Sequence, residues 1–138
     1  MRPSNLFVSV LTLGEIRRGI ERLRTRDAKQ TGVFEAWLDE VGTVFQERVL
    51  EIDGAVAQTW GKLDAVDPLP TIDGLLAATA LVHGLTVVTR DTTPFERTGV
   101  PFLDPWAYGA PYARHDLARL PSRDGRSRLA LTDDEGLV

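Results

Sequence analysis

The chain has 138 residues, enough for one domain with a real core and too few for two comfortable ones. Its 43% hydrophobic and 26% charged residues are ordinary for a globular protein, and its net charge of -4 argues against a protein that coats nucleic acid by bulk electrostatics, while leaving room for an enzyme that reaches phosphates through a metal ion. The absence of cysteine excludes disulfides, thiol catalysis and cysteine-ligated zinc and fits a reducing, cytoplasmic setting; no apolar run approaches membrane-spanning length and no signal peptide is expected.

The first run, Leu6-Phe7-Val8-Ser9-Val10, reads as a short strand. A helix follows with Thr12 as its expected N-cap, and Leu13, Ile16, Ile20 and Leu23 recur at helical spacing as its buried face. A second helix is expected over residues 28–45, with Val33, Phe34, Trp37, Leu38 and Val41 as apolar positions, so that the two form a helical hairpin. Residues 49–52 read as a strand, and Asp53 as the cap of a third helix reaching Val66. Pro68 and Pro70 break the chain before a helix over residues 72–83, for which Gly84 is a favourable C-terminal stop. Residues 86–89 form an unbroken β-branched run, the mark of a strand buried on both faces, and a last strand is expected near residues 100–103. Strands alternating with helices give an α/β domain with a parallel sheet over residues 1–106. Beyond Trp106 the periodicity fades, so residues 107–138 are expected to be a mostly disordered tail with one weak helical turn near residues 117–120.

Three acids are candidates for one sheet edge. Asp73 stands at the start of its helix, where an acid also stabilises the terminus with no further role. Asp91 lies just past a buried strand, at the edge where open α/β sheets bind ligands, although turns also favour aspartate there. Glu15 closes Thr12-Leu13-Gly14-Glu15, which is also a capping box. Three converging carboxylates would repel one another; a divalent cation, Mg²⁺ first of all, removes that cost and can activate water. Thr89 could add a hydroxyl to the same shell or serve as an ordinary strand residue. His83 and His115 have no evident partner as bases, and there is no glycine-rich phosphate loop.

Three stretches, Phe7-Val8-Ser9-Val10-Leu11-Thr12-Leu13-Gly14-Glu15-Ile16, Ile72-Asp73-Gly74-Leu75-Leu76-Ala77-Ala78-Thr79-Ala80 and Val88-Thr89-Arg90-Asp91, occur in an order and at distances that resemble the PIN domain, and within it the VapC-type toxins of bacterial toxin–antitoxin pairs. The resemblance spans about residues 6–106. It implies a Mg²⁺- or Mn²⁺-dependent ribonuclease in which Glu15, Asp73 and Asp91 are catalytic and metal-holding, cleaving RNA phosphodiesters to a 3′-hydroxyl and a 5′-phosphate. It also implies a homodimer inhibited by a cognate antitoxin. Arg17 and Arg18 are then candidates for RNA phosphates, although arginines on a helix surface are most often a solvated face. Members of the family open with an apolar strand ending in an Asp-Thr-Asn-type motif, and the matched residues follow it. The sheet is therefore expected to lack its middle strand and the metal site its first acid. An upstream start codon, a decayed gene or a strand donated by a partner would each account for that. The rival reading is a catalytically inactive module that only binds an antitoxin or a dimer partner.

Overall fold

The computed structural model describes residues 5–104 and 128–133. Strand β1 (Leu6–Ser9) leads straight into helix α1 (Val10–Arg24), followed by α2 (Ala28–Val44), β2 (Val49–Leu50), α3 (Gly54–Val66), α4 (Thr71–His83), β3 (Leu85–Thr89), β4 (Phe102–Leu103) and β5 (Arg128–Asp133). The five strands form one sheet in the order β2-β1-β5-β3-β4. The α/β class and the element order up to β4 follow the sequence reading closely.

Local chemistry sets the boundaries. Ser9, in extended backbone, caps α1 by accepting a hydrogen bond from the Leu11 N–H at 3.1 Å. The expected cap, Thr12, instead lies inside the helix with its side chain buried, so the expected capping box with Glu15 does not form. Ser9 and Thr12 are both acceptable N-cap residues, and the earlier one wins because β1 ends at Ser9. Asp27 and Asp53 cap α2 and α3 by accepting from the N–H groups of Gln30 and Val56, each at 3.0 Å. Helix α4 ends at Gly84, whose φ of 65° is the left-handed stop that glycine adopts without strain.

The core sits around α4 and β3. Leu76, Ala77, Ala80, Leu85, Val87, Phe95 and Val100 form one buried cluster, with Phe7, Leu11, Leu50, Leu63 and Ile72 packed on its rim. All five residues of β3 are buried, as its β-branched sequence requires of a strand covered on both faces.

Two expectations need correction. The sheet is mixed rather than wholly parallel: β1 with β2 and β3 with β4 are parallel, whereas β5 runs antiparallel to both of its neighbours. The middle of the sheet is not vacant either, because β5 lies there, and residues 128–133 of the expected disordered tail are a strand. An apolar centre, Leu129-Ala130-Leu131, pairs with strands whose N–H and C=O groups would otherwise be left without partners, a costly state for buried backbone. The helical turn expected near residues 117–120 lies outside the described residues.

Candidate active site

The topology collects the candidate residues at one edge. Because β1 and β3 are each antiparallel to β5, they are parallel to each other, so Ser9 and Thr89 end their strands on the same side. Helix α4 packs against β3 and returns into it through the single residue Gly84, which places its first turn, with Asp73, beside the C-terminal end of β3. Asp91 follows that end by two residues. Asp104 directly follows β4, the parallel neighbour of β3, and brings a further acid to the same edge. Sequence reasoning missed Asp104; the available signal was an acid immediately after a short apolar strand.

These acids differ sharply in environment. Asp73 is fully buried, whereas Asp91 is half-buried and Glu15 is exposed on α1. Burial disfavours a charged carboxylate unless a compensating charge or hydrogen bond attends it, so a fully buried aspartate in the first turn of a helix is chemically more specific than a solvated one. Gly74 makes that position possible. A Cβ there would stand 3.0 Å from both Cδ1 and Nε1 of Trp60, so the indole of α3 lies directly over the α4 backbone next to Asp73.

Thr89 is buried and acts on the loop. Its Oγ1 accepts a hydrogen bond from the Asp91 N–H at 3.1 Å and donates to the Asp91 carbonyl at 3.4 Å. The threonine thus folds the backbone of Asp91 over the strand end, and its hydroxyl is already engaged there.

The two candidate arginines part company. Arg17 bridges the helical hairpin, with Nη1 at 3.4 Å from Glu21 and 3.1 Å from Glu35, while Arg18 is exposed on the same helix. The network continues through Arg24, which hydrogen-bonds both Glu21 and Glu35. Those bonds from Arg24 hold the Glu21 carboxyl down at about 2 and lower that of Glu35, while the two carboxylates raise Arg24 above its usual range. Arg17 is therefore part of the joint between two helices.

Among the described residues, no three acidic or histidine side chains gather into a cluster able to hold a metal ion. The donor chemistry at the edge nevertheless fits a hard divalent cation. The donors are carboxylates, His83 lies at the opposite end of α4, and Mg²⁺ is commonly held by one or two carboxylates with water and substrate phosphate completing the shell.

Comparison with known proteins places this arrangement. A family model, PIN domain, matches residues 1–101. The VapC ribonuclease Y4jK of Sinorhizobium fredii is 34% identical over 107 residues, covering 73% of this chain and 75% of that protein. Toxin FitB of Neisseria gonorrhoeae is 31% identical over 108 residues, covering 74% and 76%. Among solved structures, that of FitAcB from Neisseria gonorrhoeae superposes with a TM-score of 0.70 at 29% identity, covering 77% of this chain and 79% of that one.

Proposed function

The chain belongs to the PIN domain family, and from that premise we propose that it is a VapC-like toxin, a Mg²⁺- or Mn²⁺-dependent endoribonuclease that hydrolyses RNA phosphodiesters. The observation that carries the proposal is the buried Asp73 at the head of α4, set beside the end of β3 where Thr89 fixes the Asp91 backbone. In this reading Asp73 and Asp91 would hold the cation, and Glu15, exposed on α1, would complete the set. A bound Mg²⁺ or Mn²⁺ supplies Lewis acidity and an activated water to the phosphodiester. Asp73 contributes a carboxylate in a water-poor setting, where its electrostatic effect is least screened. Thr89 is a positioning residue that acts through Asp91. Arg18, exposed on α1, would meet an RNA phosphate, whereas Arg17 is committed to the hairpin.

The natural test is Mg²⁺-dependent cleavage of a mixed RNA pool by the full chain and by Asp73→Asn. We expect the variant to lose more than about 100-fold, beyond the usual cost of changing a residue that only supports a metal ligand. Equal cleavage by both proteins would remove Asp73 from the mechanism.

A second reading is favoured by one observation: three donors do not gather among the described residues. In that case the chain is an inactive module that binds an antitoxin or a second copy. Helix α2 would serve either reading as the docking surface. It buries only Thr31, packs chiefly on α1, and leaves Val33 and Val44 each 58% exposed. Absence of cleavage by the unaltered chain, with retained partner binding, would select this reading.

A further inference from the structure

The elements fall into two lobes. The first comprises β1, α1, α2 and β2, whose main packing is α1 on α2, α1 on β1 and β1 on β2. The second comprises α3, α4, β3 and β4, packed as α3 on α4, α4 on β3 and β3 on β4. Among the described residues, β5 is the strand that pairs with both lobes, while the side chains of Phe7, Leu11 and Leu50 reach across to the core cluster. The acids are divided in the same way: Glu15 belongs to the first lobe, Asp73 and Asp91 to the second.

The two seams of β5 are unequal. Against β3 it pairs from Leu85↔Asp133 to Thr89↔Arg128, with a register shift between Val88 and Thr89. Against β1 it pairs only at Leu6↔Thr132 and Phe7↔Leu131. A two-residue ladder is the weaker of the two, since each pair adds only a modest net stabilisation. The strand can therefore leave one lobe while it stays paired with the other.

We propose that residues 128–133 are a removable strand clip. Paired with both β1 and β3, they hold the two lobes together and set the ends of β1 and β3 on one side of the sheet. Opening at the β1 seam frees the lobe that carries Glu15 from the lobe that carries Asp73 and Asp91. The strand arrangement stands on register alone; its consequence for catalysis rests on the nuclease reading above.

Two measurements on the full chain test the clip without reference to cleavage. The Val87 N–H donates to the Pro101 carbonyl at 2.9 Å, toward β4, so the alternating N–H groups of Thr86 and Val88 face β5. With the clip docked, amide exchange at Thr86 and Val88 should fall within about tenfold of that at Val87. Rapid exchange at those two residues beside a slow Val87 would overturn the docking.

The second measurement uses the absence of native cysteine: Leu6→Cys with Thr132→Cys offers a single disulfide across the β1 seam. We expect an intramolecular bond that slows exchange of the β1 amides relative to the reduced protein. A disulfide-linked dimer would mean that the strand comes from a second copy, and unchanged β1 exchange would mean that the seam does not open by itself; either result overturns the removable clip. Should the double variant fail to fold, the exchange pattern of the unaltered chain still decides the docking.

Discussion

The α4–β3 unit and the α1–α2 hairpin are built on opposite terms. In α4 nearly every residue from Asp73 to Ala80 is buried, and every residue of β3 is. In α2 only Thr31 is buried, and the hairpin is joined across its surface by Arg17, Arg24, Glu21 and Glu35. Most of the buried apolar area, and with it most of the stability, therefore lies in the second lobe. The first lobe buries Val8, Ile16 and Ile20 on β1 and α1 but leaves the apolar side chains of α2 partly or fully exposed and its charges solvated, as suits a surface that meets another molecule. The candidate site draws on both: its buried acid comes from the rigid lobe and its exposed acid from the other.

The largest effect that would test this contrast is a core truncation set against a surface one. Leu76→Ala should cost about 2–5 kcal/mol of unfolding free energy, as for deletion of a buried leucine side chain into packed surroundings. Val44→Ser, on the exposed side of α2, should stay within about 0.5 kcal/mol in the isolated chain. Urea denaturation of both variants checks this. Comparable losses at the two positions would mean that α2 is covered in the free protein and that the contrast between the lobes is false.

A smaller effect probes how the buried acid is held. Gly74→Ala gains helix propensity worth about 1 kcal/mol, but places a methyl 3.0 Å from the Trp60 indole. Overpacking of about 1–3 kcal/mol should outweigh that gain, because Trp60 is wedged between α3 and α4 and its Nε1 is buried without a hydrogen-bond partner. Adding Trp60→Ala removes both atoms that clash, Cδ1 and Nε1, so the double variant should be more stable than the sum of the single losses predicts. Strict additivity in denaturant midpoints would show that the indole does not set the spacing of α4.

This contrast also explains what could be read directly from the sequence. The α4–β3 unit was legible because its local signals agree: two prolines before the helix, an acid in the first turn, a glycine stop and an unbroken β-branched run. The start of α1 was misplaced by three residues because Ser9 and Thr12 are both acceptable caps, and only the end of β1 chooses between them. Strand β5 was hidden for a different reason. Leu129-Ala130-Leu131 is a short apolar run in polar surroundings, and its pairing with β1 and β3 is a long-range fact that no local pattern encodes. At the site, Asp73 and Asp91 were visible as residue types at suitable places, but neither the burial of the first nor the grip of Thr89 on the second is written in their spacing.

The smallest expected effect lies in the hairpin network, and its sign follows from the direction of the shifts. Hydrogen bonds from Arg24 hold Glu21 at about 2 in the folded chain, against an ordinary value of 4.5, so the folded state binds the proton less readily than the unfolded one. The stabilisation is fully present above about pH 4.5 and is lost as the pH falls toward 2. Glu35 is lowered by the same arginine and should act in the same direction. Arg17, Glu21 and Arg24 are exposed and Glu35 is half-exposed, so solvent and salt screening keep the contribution small. Glu21→Gln should therefore melt slightly below the unaltered chain at pH 7, with the gap narrowing through acid pH and closing near pH 2. The comparison is between two proteins at each pH, so titration of the other carboxylates cancels to first order. Raising the ionic strength at pH 7 should shrink the gap as well. A gap that stays constant from pH 7 to pH 2 would assign the loss to packing of the Glu21 stem, and the hairpin would then be held by contact rather than by charge.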